Sequence, residues 1–424
     1  MERYPTVSEG IRIHDLGQPE YSEAGAAAIA AIDALDFDFT TEAIVAAAKA
    51  ECDVPFFEDE GVLARLEEYL EAVRADPDYS RMGRFQVTQY TKRHLIQRSR
   101  LEALYAAHPE IEDVEIARPL IIAGLPRSGT THLLNLISAD ERLRSLRYWE
   151  SLEPIPSLAA QRGDAEDDRR RNGLGQLAIQ DTMMPLFKNM YDVDNEGIHE
   201  EVELQYMDMS TLLMAAMAIV PEWMERYFQR DQRPHYAFMK RAIKALQWLE
   251  PRERWVLKSP QHLAFIPALV ETFPDATFVV THRDPAAVFS SWATMFTYAA
   301  RFSRSPVRPR YCADYAGHMM KLQLDALVRD ARHLPEDRTE HVYFQDFMAD
   351  DFGTLGRIYE RAGLDLDART RAAMEGYIAD HPRGRHGKIL YDLKTDFGID
   401  LRDVHQDFAR YMKAFPVQPE RPNE

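Results

Sequence analysis

Apolar residues in the amino-terminal part of the chain recur at three- and four-residue spacing, the pattern of amphipathic helices. The clearest runs are Ala24 to Ala34, Thr41 to Ala50 and Val62 to Leu70. No motif of a functional site occurs among them. The pattern predicts a helical extension over residues 1–115 that packs against the rest of the protein. A cover over a functional cleft is the alternative role for this region.

The pattern changes after Pro119, where the continuous apolar run from Leu120 to Ala123 ends at Gly124. A short apolar run without alternation is typical of a strand buried in a parallel sheet. Similar strand-like runs are Trp255 to Leu257, Thr277 to Thr281 and His341 to Phe344, and helical patterns cover Thr130 to Ser138, Leu263 to Thr272, the segment opened by Asp284 and Pro285, Thr354 to Ala362 and Ala368 to Ala379. Alternating strands and helices predict an α/β fold over residues 116–424, with sites at the carboxyl ends of the strands.

Composition narrows the class of protein. The 424 residues exceed what one hydrophobic core normally organises, and 46% of them are apolar, as in globular proteins. No run approaches the roughly 20 apolar residues that span a bilayer, and the start lacks a basic and apolar leader, so we expect no transmembrane segment and a cytoplasmic location. The net charge of −18 argues against a nucleic-acid partner, because phosphate backbones need basic surface. An anionic ligand therefore needs a local basic site.

A candidate anion site follows the first strand, at Gly124-Leu-Pro-Arg-Ser-Gly-Thr-Thr131. A loop of this kind, placed between a buried strand and a helix, directs backbone N–H groups and the helix dipole at a phosphate. The nucleotide-kinase version carries lysine where this chain has Thr130. The missing lysine weakens a triphosphate interpretation, while Arg127 offers a planar fork for a smaller terminal anion. A P-loop phosphotransferase that uses ATP and Mg²⁺ remains the alternative enzyme.

The Pro-Arg-Ser-Gly-Thr-Thr loop resembles that of sulfotransferases dependent on 3′-phosphoadenosine 5′-phosphosulfate (PAPS), especially the bacterial branch related to protein-tyrosine and glycan sulfotransferases. The resemblance covers about residues 119–400. It implies a P-loop-type sheet, PAPS as sulfuryl donor, 3′-phosphoadenosine 5′-phosphate (PAP) as product, no metal, and a hydroxyl or, less readily, an amine acceptor. It also implies which residues hold the 5′-phosphate and sulfate: Arg127, Ser128, Gly129, Thr130 and Thr131.

A second segment places Arg283 at the end of a predicted strand and Ser291 about two helical turns along the next helix. Both side chains can therefore face one ligand. In the resembled family, an arginine and a serine at this spacing bind the 3′-phosphate that distinguishes PAPS from ordinary adenine nucleotides. Ser290 is the alternative if the helix begins one residue away from the predicted position.

A third basic segment, from His381 to Lys388, contains glycine in an otherwise acidic chain. It resembles the carboxy-terminal loop that closes over the nucleotide in sulfotransferases, although its spacing departs from the family pattern. We expect Arg383, Arg385 or Lys388 to contact phosphate, and the sequence does not choose among them. The alternative is an exposed loop without a ligand.

Sulfuryl transfer to a hydroxyl requires cations around the transferring group and a base for the acceptor proton. Arg127 and Lys258, at the end of the strand-like run from Trp255, supply the cations. Because Lys258 corresponds to a lysine of the resembled enzymes, we assign it to the bridging oxygen or the sulfate.

Three candidates for the base are open. Glu150 comes first, because the protein-tyrosine branch uses a glutamate about 20 residues beyond the loop arginine. His262 comes second, since the cytosolic enzymes use a histidine after the lysine, although Pro260 stands at their position here. The third is a cluster that contains His199, Glu200, Glu201 and Glu203. A carboxylate base would need a neighbour or partial burial to bring its pKa toward neutrality.

The acceptor is not named by the sequence, which leaves small molecules, lipids and glycans open. Methionine and aromatic residues from Thr182 to Phe187 and from Tyr206 to Met217 could line an apolar pocket, although such stretches are more often core. The basic run Arg301, Arg304, Arg308 and Arg310 could attract an anionic acceptor or only meet solvent. A catalytically idle nucleotide-binding protein is the alternative to an enzyme, and the oligomeric state is open.

Overall fold

The computed structural model describes residues 10–382, 385 and 387–420. Its sheet is built from the strands β1 Leu120–Ala123, β2 Leu143–Arg144, β3 Arg254–Lys258, β4 Thr277–His282 and β5 Thr339–Tyr343. The strand order is β2-β3-β1-β4-β5, and every pair is parallel. The predicted α/β fold with a parallel sheet is confirmed, and β1 lies at its centre.

Helices surround this sheet. In chain order they are α1 Glu23–Ala34, α2 Thr41–Glu51, α3 Glu60–Arg74, α4 Arg81–Ala107, α5 Thr130–Ser138, α6 Tyr148–Leu152, α7 Leu158–Gln161, α8 Arg169–Met183, α9 Leu212–Met217, α10 Pro221–Gln229, α11 Arg233–Leu249, α12 Ile266–Thr272, α13 Pro285–Ala300, α14 Pro309–Asp330, α15 Phe344–Ala349, α16 Asp351–Ala362, α17 Ala368–Asp380, α18 Leu393–Phe397, α19 Leu401–Asp407 and α20 Ala409–Ala414. Short 3₁₀ segments lie at Pro109–Asp113, Phe187–Asn189, Glu201–Asp208, Pro260–Ala264, Ala331–His333 and Glu336–Arg338.

The first four helices begin where the sequence supplies a polar cap. Ser22, Thr40, Asp59 and Ser80 each accept a hydrogen bond from a backbone N–H in the first turn of α1, α2, α3 and α4. Such caps satisfy donors that the helix itself leaves unpaired. The predicted helical character of this region is confirmed. The long α4 was not predicted, because it is buried on several sides and carries no single apolar stripe.

One predicted strand is placed differently. The sequence predicted a strand from His341 to Phe344, whereas β5 begins at Thr339 and Phe344 opens α15. Phe344 instead reaches the phosphate loop, as described below. The strand was misplaced because an aromatic residue that ends a strand and one that begins a helix have the same apolar character in sequence.

The two faces of the sheet are buried in different apolar clusters. Ile121 packs with residues of α3, α4 and α11, while its neighbours Leu120 and Ile122 pack with residues of α5 and α16 on the other face. This follows from the alternation of side chains along a strand. The amino-terminal helices and the sheet thus share one core across the predicted boundary near residue 115. The division into two domains stays a prediction.

The described residues contain neither a membrane-spanning helix nor a cluster of metal ligands. Among residues 10–382, 385 and 387–420, no helix combines the length and apolar character that crossing a bilayer requires. Within those same ranges, no group of three or more histidine, cysteine, aspartate or glutamate side chains is arranged to hold a metal ion.

Candidate active site

The loop from Gly124 to Thr131 connects β1, at the centre of the sheet, to α5. A tight path is imposed by left-handed backbone at Arg127 and Gly129, with φ of 70° and 89°. Gly124 has no room for a side chain, because an added Cβ would lie 1.9 Å from the Thr281 Oγ1 of β4. The Ser128 hydroxyl also lies 2.7 Å from Thr281 Oγ1. The loop is therefore packed directly against the neighbouring strand.

The amino terminus of α5 is available for an anion. Gly129 occupies the cap position, and no side chain among the described residues caps this helix. Backbone N–H groups at the start of a helix carry partial positive charge and bind phosphate or sulfate when no side chain satisfies them. Thr130 is buried at the first helical position, and Thr131 is partly exposed beside it. The predicted phosphate cradle thus has the local geometry that its motif requires.

The two predicted nucleotide segments meet at Arg127. The Arg127 Nε donates to the Ser291 hydroxyl at 2.8 Å. The backbone carbonyl of Arg127 accepts a hydrogen bond from Arg283 Nη1, also at 2.8 Å. Ser291 faces the loop, whereas the hydroxyl of Ser290 donates to the Ala286 carbonyl of its own helix. Residues separated by more than 150 positions therefore form one continuous polar surface at the carboxyl ends of β1 and β4.

Arg283 is held from two sides. Its Nε and Nη2 atoms donate to the carboxylate oxygens of Glu420 at 2.7 and 2.8 Å. Its guanidinium carbon lies 3.7 Å from the centre of the Phe344 ring. This cation–π stacking stabilises the guanidinium in that position. The Phe344 ring also lies beside Gly129. Neither Phe344 nor Glu420 was predicted as a site residue, although Phe344 follows a strand that neighbours β4, a position from which side chains reach such loops.

Lys258 ends β3 on the other side of β1. In the sheet register it stands opposite Ile122, just before the phosphate loop. The side chain is 2% exposed and its Nζ donates to the carboxylate of Glu200. A buried ammonium requires such a partner, because an unpaired charge is costly away from water. Lys258 is thus a buried, paired lysine at the end of the strand beside β1, and its role at the bridging oxygen or the sulfate stays a prediction.

His262 lies deeper than Lys258 and has a partner on each ring nitrogen. Nε2 lies 2.5 Å from Glu201 Oε1, and Nδ1 lies 2.8 Å from the Tyr236 hydroxyl. The other oxygen of Glu201 accepts the Lys258 backbone N–H at 2.8 Å. Because His262 and Glu201 are almost completely buried, the pair connects the end of β3 to the core. A catalytic role for His262 stays a prediction.

Glu150 lies in α6 and is 3% exposed. Its two carboxylate oxygens accept hydrogen bonds from the Arg144 guanidinium at 2.6 and 3.1 Å. Arg144 also stacks on the Trp255 ring, with 4.6 Å between the guanidinium carbon and the ring centre. The contacts of Glu150 thus join α6 to β2 and β3, and its predicted role as the base stays a prediction.

We expect Glu150→Ala to destabilise the protein by about 3 kcal/mol, because removing Glu150 from a buried ion pair leaves Arg144 with only the more distant carboxylate of Glu250, at 4.0 Å. Urea unfolding measures the change in the free energy of unfolding. Glu166→Ala, at an exposed position, is the control and is expected to change stability by less than about 0.5 kcal/mol. Equal stability of the two variants would show that the Arg144 pair contributes nothing measurable.

The third basic segment is described only in part. Arg385 Nε donates to Asp192 at 2.8 Å, and both residues line a cavity of about 300 Å³ beside α5. The Lys388 carbonyl accepts the Ile11 backbone N–H at 2.8 Å, which ties this segment to the beginning of the described chain. Arg383 lies outside the described residues. Contact of Arg383, Arg385 or Lys388 with the nucleotide stays a prediction.

The stretches considered for the acceptor are mainly structural. Met207, Met209 and Met214 are fully buried in the core, and Met183 lies in a second apolar cluster. The arginines of the basic run pair with acids: Arg301 with Asp15, Arg304 and Arg308 with Asp78, and Arg310 with Asp314. Their positive charge is therefore compensated within the protein.

A sequence profile of the sulfotransferase family matches residues 119–368, the part of the chain that carries the sheet, the phosphate loop, Lys258 and Arg283. The chain belongs to the sulfotransferase family. The resemblance to bacterial sulfotransferases noted in the sequence is confirmed. The omega-hydroxy-beta-dihydromenaquinone-9 sulfotransferase Stf3 from Mycobacterium bovis is 22% identical over 275 residues, which cover 62% of this chain and 67% of that protein. The same enzyme from Mycobacterium tuberculosis matches equally.

Solved structures show the same fold over most of this sulfotransferase. The crystal structure of STF9 from Mycobacterium avium matches with a TM-score of 0.79 at 27% identity and covers 91% of this chain and 99% of its own. The crystal structure of STF1 from Mycobacterium tuberculosis H37Rv has a TM-score of 0.76 at 23% identity, with 87% and 98% covered. The P-loop-type fold predicted from the loop motif is thereby confirmed.

Proposed function

We propose that this sulfotransferase takes its sulfuryl group from PAPS and transfers it to a hydroxyl acceptor. The observation that carries the proposal is the network in which Arg283 and Ser291 both bond to Arg127. It supports one continuous site for a nucleotide with a 5′-phosphosulfate and a 3′-phosphate. The 5′ groups would lie on Ser128 to Thr131, and the 3′-phosphate on Arg283 and Ser291.

The proposed reaction is an in-line displacement at sulfur. The acceptor oxygen forms a bond to sulfur while the bond between sulfur and the 5′-phosphate oxygen breaks, and PAP leaves. Negative charge develops on the departing oxygen, where fixed cations lower the barrier most effectively. We assign this role to Lys258 with support from Arg127. The acceptor loses its proton to a base on the protein.

A hydroxyl acceptor is supported by family membership and by a relative whose name describes an omega-hydroxylated menaquinone substrate. We propose a small molecule, lipid or glycan alcohol and place an amine second. The cytoplasm remains the proposed location.

Ligand preference tests the donor. Thermal shifts with PAP, ADP and ATP at equal concentration, the last with and without Mg²⁺, compare the ligands, since stabilisation increases with the logarithm of affinity. A shift that is largest for PAP supports the proposal. A preference for ATP with Mg²⁺ would support a phosphotransferase instead. Binding of PAP without sulfation of any acceptor would favour the idle nucleotide-binding protein.

Glu420 provides a further prediction about PAP. The Glu420 carboxylate is bound to the edge of the Arg283 guanidinium. We assign that same edge to the 3′-phosphate, so Glu420 competes with PAP for Arg283. We expect Glu420→Gln to strengthen PAP binding roughly fivefold, because a partly exposed pair of this kind is worth about 1 kcal/mol. Isothermal titration calorimetry measures the affinity.

ADP has no 3′-phosphate, so its affinity is expected to stay unchanged in Glu420→Gln. Asp403→Asn removes another carboxylate of the carboxy-terminal region, at an exposed position, and serves as the matched control. Equal gains for PAP and ADP would contradict direct competition at Arg283.

A further inference from the structure

His199 lies next to Glu200 on the segment that precedes the 3₁₀ turn Glu201–Asp208, close enough to Lys258 for the two side chains to interact electrostatically. Its backbone N–H donates to the Leu146 carbonyl at 2.8 Å, which fixes the segment against the residues before α6. The partly buried ring lies between Tyr148 and Tyr191, whose ring centres are 5.1 and 6.3 Å away. The next residue, Glu200, binds Lys258. A histidine is therefore fixed next to the carboxylate that holds the catalytic lysine.

Ser151 determines how this ring is used. Its hydroxyl donates to the Tyr148 carbonyl at 2.7 Å, which commits its only proton. The Ser151 oxygen also lies 3.1 Å from His199 Nδ1. With its proton committed, the oxygen can only accept, so Nδ1 carries the ring proton. Nε2 then holds the lone pair, which is the form of histidine that accepts a proton.

The charges around His199 suit a ring that is neutral at rest and gains a proton for a short time. Burial is the main cause that lowers the pKa of His199 below its usual 6.5, and the Lys258 charge acts in the same direction. The carboxylates of Glu203 and Glu200 and the Glu200 carbonyl oppose this effect, so they stabilise the imidazolium once it forms. Among residues 10–382, 385 and 387–420, the other titratable side chains in ring contact with His199 are Tyr148 and Tyr191. Burial raises the pKa of both hydroxyls, so they are neutral.

We infer that His199 is the general base of this sulfotransferase and that Ser151 is the positioning residue that fixes its tautomer. The inference rests on the proposed function. The proton of the acceptor hydroxyl moves to Nε2 while the oxygen–sulfur bond forms and the bond from sulfur to the 5′-phosphate breaks. The imidazolium then returns its proton to water after PAP leaves.

The other candidates have contacts that oppose this use. Both oxygens of Glu150 are engaged by Arg144, and both nitrogens of His262 are engaged by Glu201 and Tyr236. His262 would have to break a buried contact before it could accept a proton, and Glu150 is 3% exposed, so an acceptor hydroxyl has little access to it. In the tautomer with the proton on Nδ1, where Ser151 and the Glu200 carbonyl are the acceptors near the ring, the Nε2 lone pair is left for chemistry, which is the division of roles that a histidine base requires.

The tautomer can be measured without any acceptor. We will record nitrogen-15 spectra of protein labelled at histidine, titrate pH, and assign the His199 signals by their loss in His199→Asn. We expect Nδ1 to be protonated in the neutral ring and the pKa to lie below 6.5. In Ser151→Ala the two tautomers should become mixed. A neutral ring with its proton on Nε2 would overturn the inference, whatever the donor proves to be.

Steady-state rates of sulfation test the catalytic role of His199. PAPS is the donor, and the acceptors tried are 2-naphthol, a long-chain isoprenoid alcohol and a hexose. Asparagine at position 199 preserves the donor to Ser151 but removes Nε2. We expect kcat to fall roughly 100-fold in His199→Asn, while PAP affinity stays unchanged. Wild type should lose activity as pH falls below 6.5, and the remaining activity of His199→Asn should not show this pH dependence. Imidazole should restore part of the activity of His199→Ala. The matched control is His318→Asn, which replaces an exposed histidine of α14 that pairs with Glu225.

The outcomes separate the two proposals. Suppose that wild type prefers PAP and sulfates an acceptor. Full activity of His199→Asn then overturns the role of His199 and leaves the donor proposal intact. The same conclusion follows if His199→Asn and His199→Ala lose equal activity and imidazole does not rescue His199→Ala. If wild type shows no preference for PAP, the proposed function fails. If none of the acceptors tried reacts, the tautomer measurement alone decides the inference.

Discussion

Replacing Lys258 by methionine is expected to lower kcat roughly 1000-fold, because it removes a fixed cation from the oxygen on which charge develops. We expect PAP affinity to fall less than about tenfold, since the phosphate loop and Arg283 still bind the nucleotide. Lys258 is 2% exposed and its register position beside β1 keeps it close to the loop. Rates of PAP release from PAPS, together with calorimetric PAP affinities, separate these two effects.

Lys258→Met leaves the Glu200 carboxylate without its cation, and a buried unpaired charge lowers stability. The double variant Lys258→Met/Glu200→Gln removes both charges and distinguishes misfolding from lost chemistry. Lys240→Met is the matched control, because Lys240 is a partly buried lysine that donates to the Thr272 carbonyl away from the loop. A folded double variant with a near-normal kcat would refute the role we assign to Lys258.

Arg283→Met is expected to weaken PAP binding more than 100-fold while the affinity for ADP changes less than about threefold. Two charge-assisted hydrogen bonds to the 3′-phosphate are worth about 3 kcal/mol together, and ADP lacks that phosphate. The guanidinium is already oriented by Phe344 and by the Arg127 carbonyl, so binding requires little ordering of Arg283 beyond displacement of the Glu420 carboxylate. Calorimetry with both nucleotides measures the ratio of affinities.

Two controls accompany Arg283→Met. Arg402→Met removes an arginine of α19 that pairs with Asp400 near the surface and should leave both affinities unchanged. Ser291→Ala should weaken PAP binding by a smaller factor, because one neutral hydrogen bond contributes about 1 kcal/mol. An equal loss of PAP and ADP affinity in Arg283→Met would mean that the arginine supports the loop rather than the 3′-phosphate.

Local signals in the sequence were sufficient for the elements that form the phosphate cradle. The apolar run before Gly124 predicted β1, and the helix predicted from Thr130 to Ser138 has those bounds in the structure. The Asp284-Pro285 pair predicted the start of α13, where Asp284 accepts the Ala286 N–H. These features are determined by neighbours along the chain, because strand burial, turn glycines and helix caps act over a few residues.

The sequence named His199 only within the third group of base candidates, and neither the choice among those candidates nor the occupation of Arg283 could be predicted in this way. His199 meets Ser151 across 48 positions, and Arg283 meets Glu420 across 137. No periodicity or spacing rule connects residues so far apart, and an isolated glutamate or serine gives no signal of its own. Glu150 and Arg144 are only six positions apart, but their pairing depends on how α6 turns back on β2, which no pattern along the chain predicts.

The sequence by itself determined the phosphate loop, the parallel sheet that carries it and the family to which the chain belongs, because these depend on local backbone conformation and on a contiguous motif. Only the tertiary structure decided which charged or polar side chains face one another: Lys258 with Glu200, Arg283 with Glu420, and His199 with Ser151. The physical reason is that burial and pairing of charge arise when distant segments pack together at the carboxyl edge of the sheet.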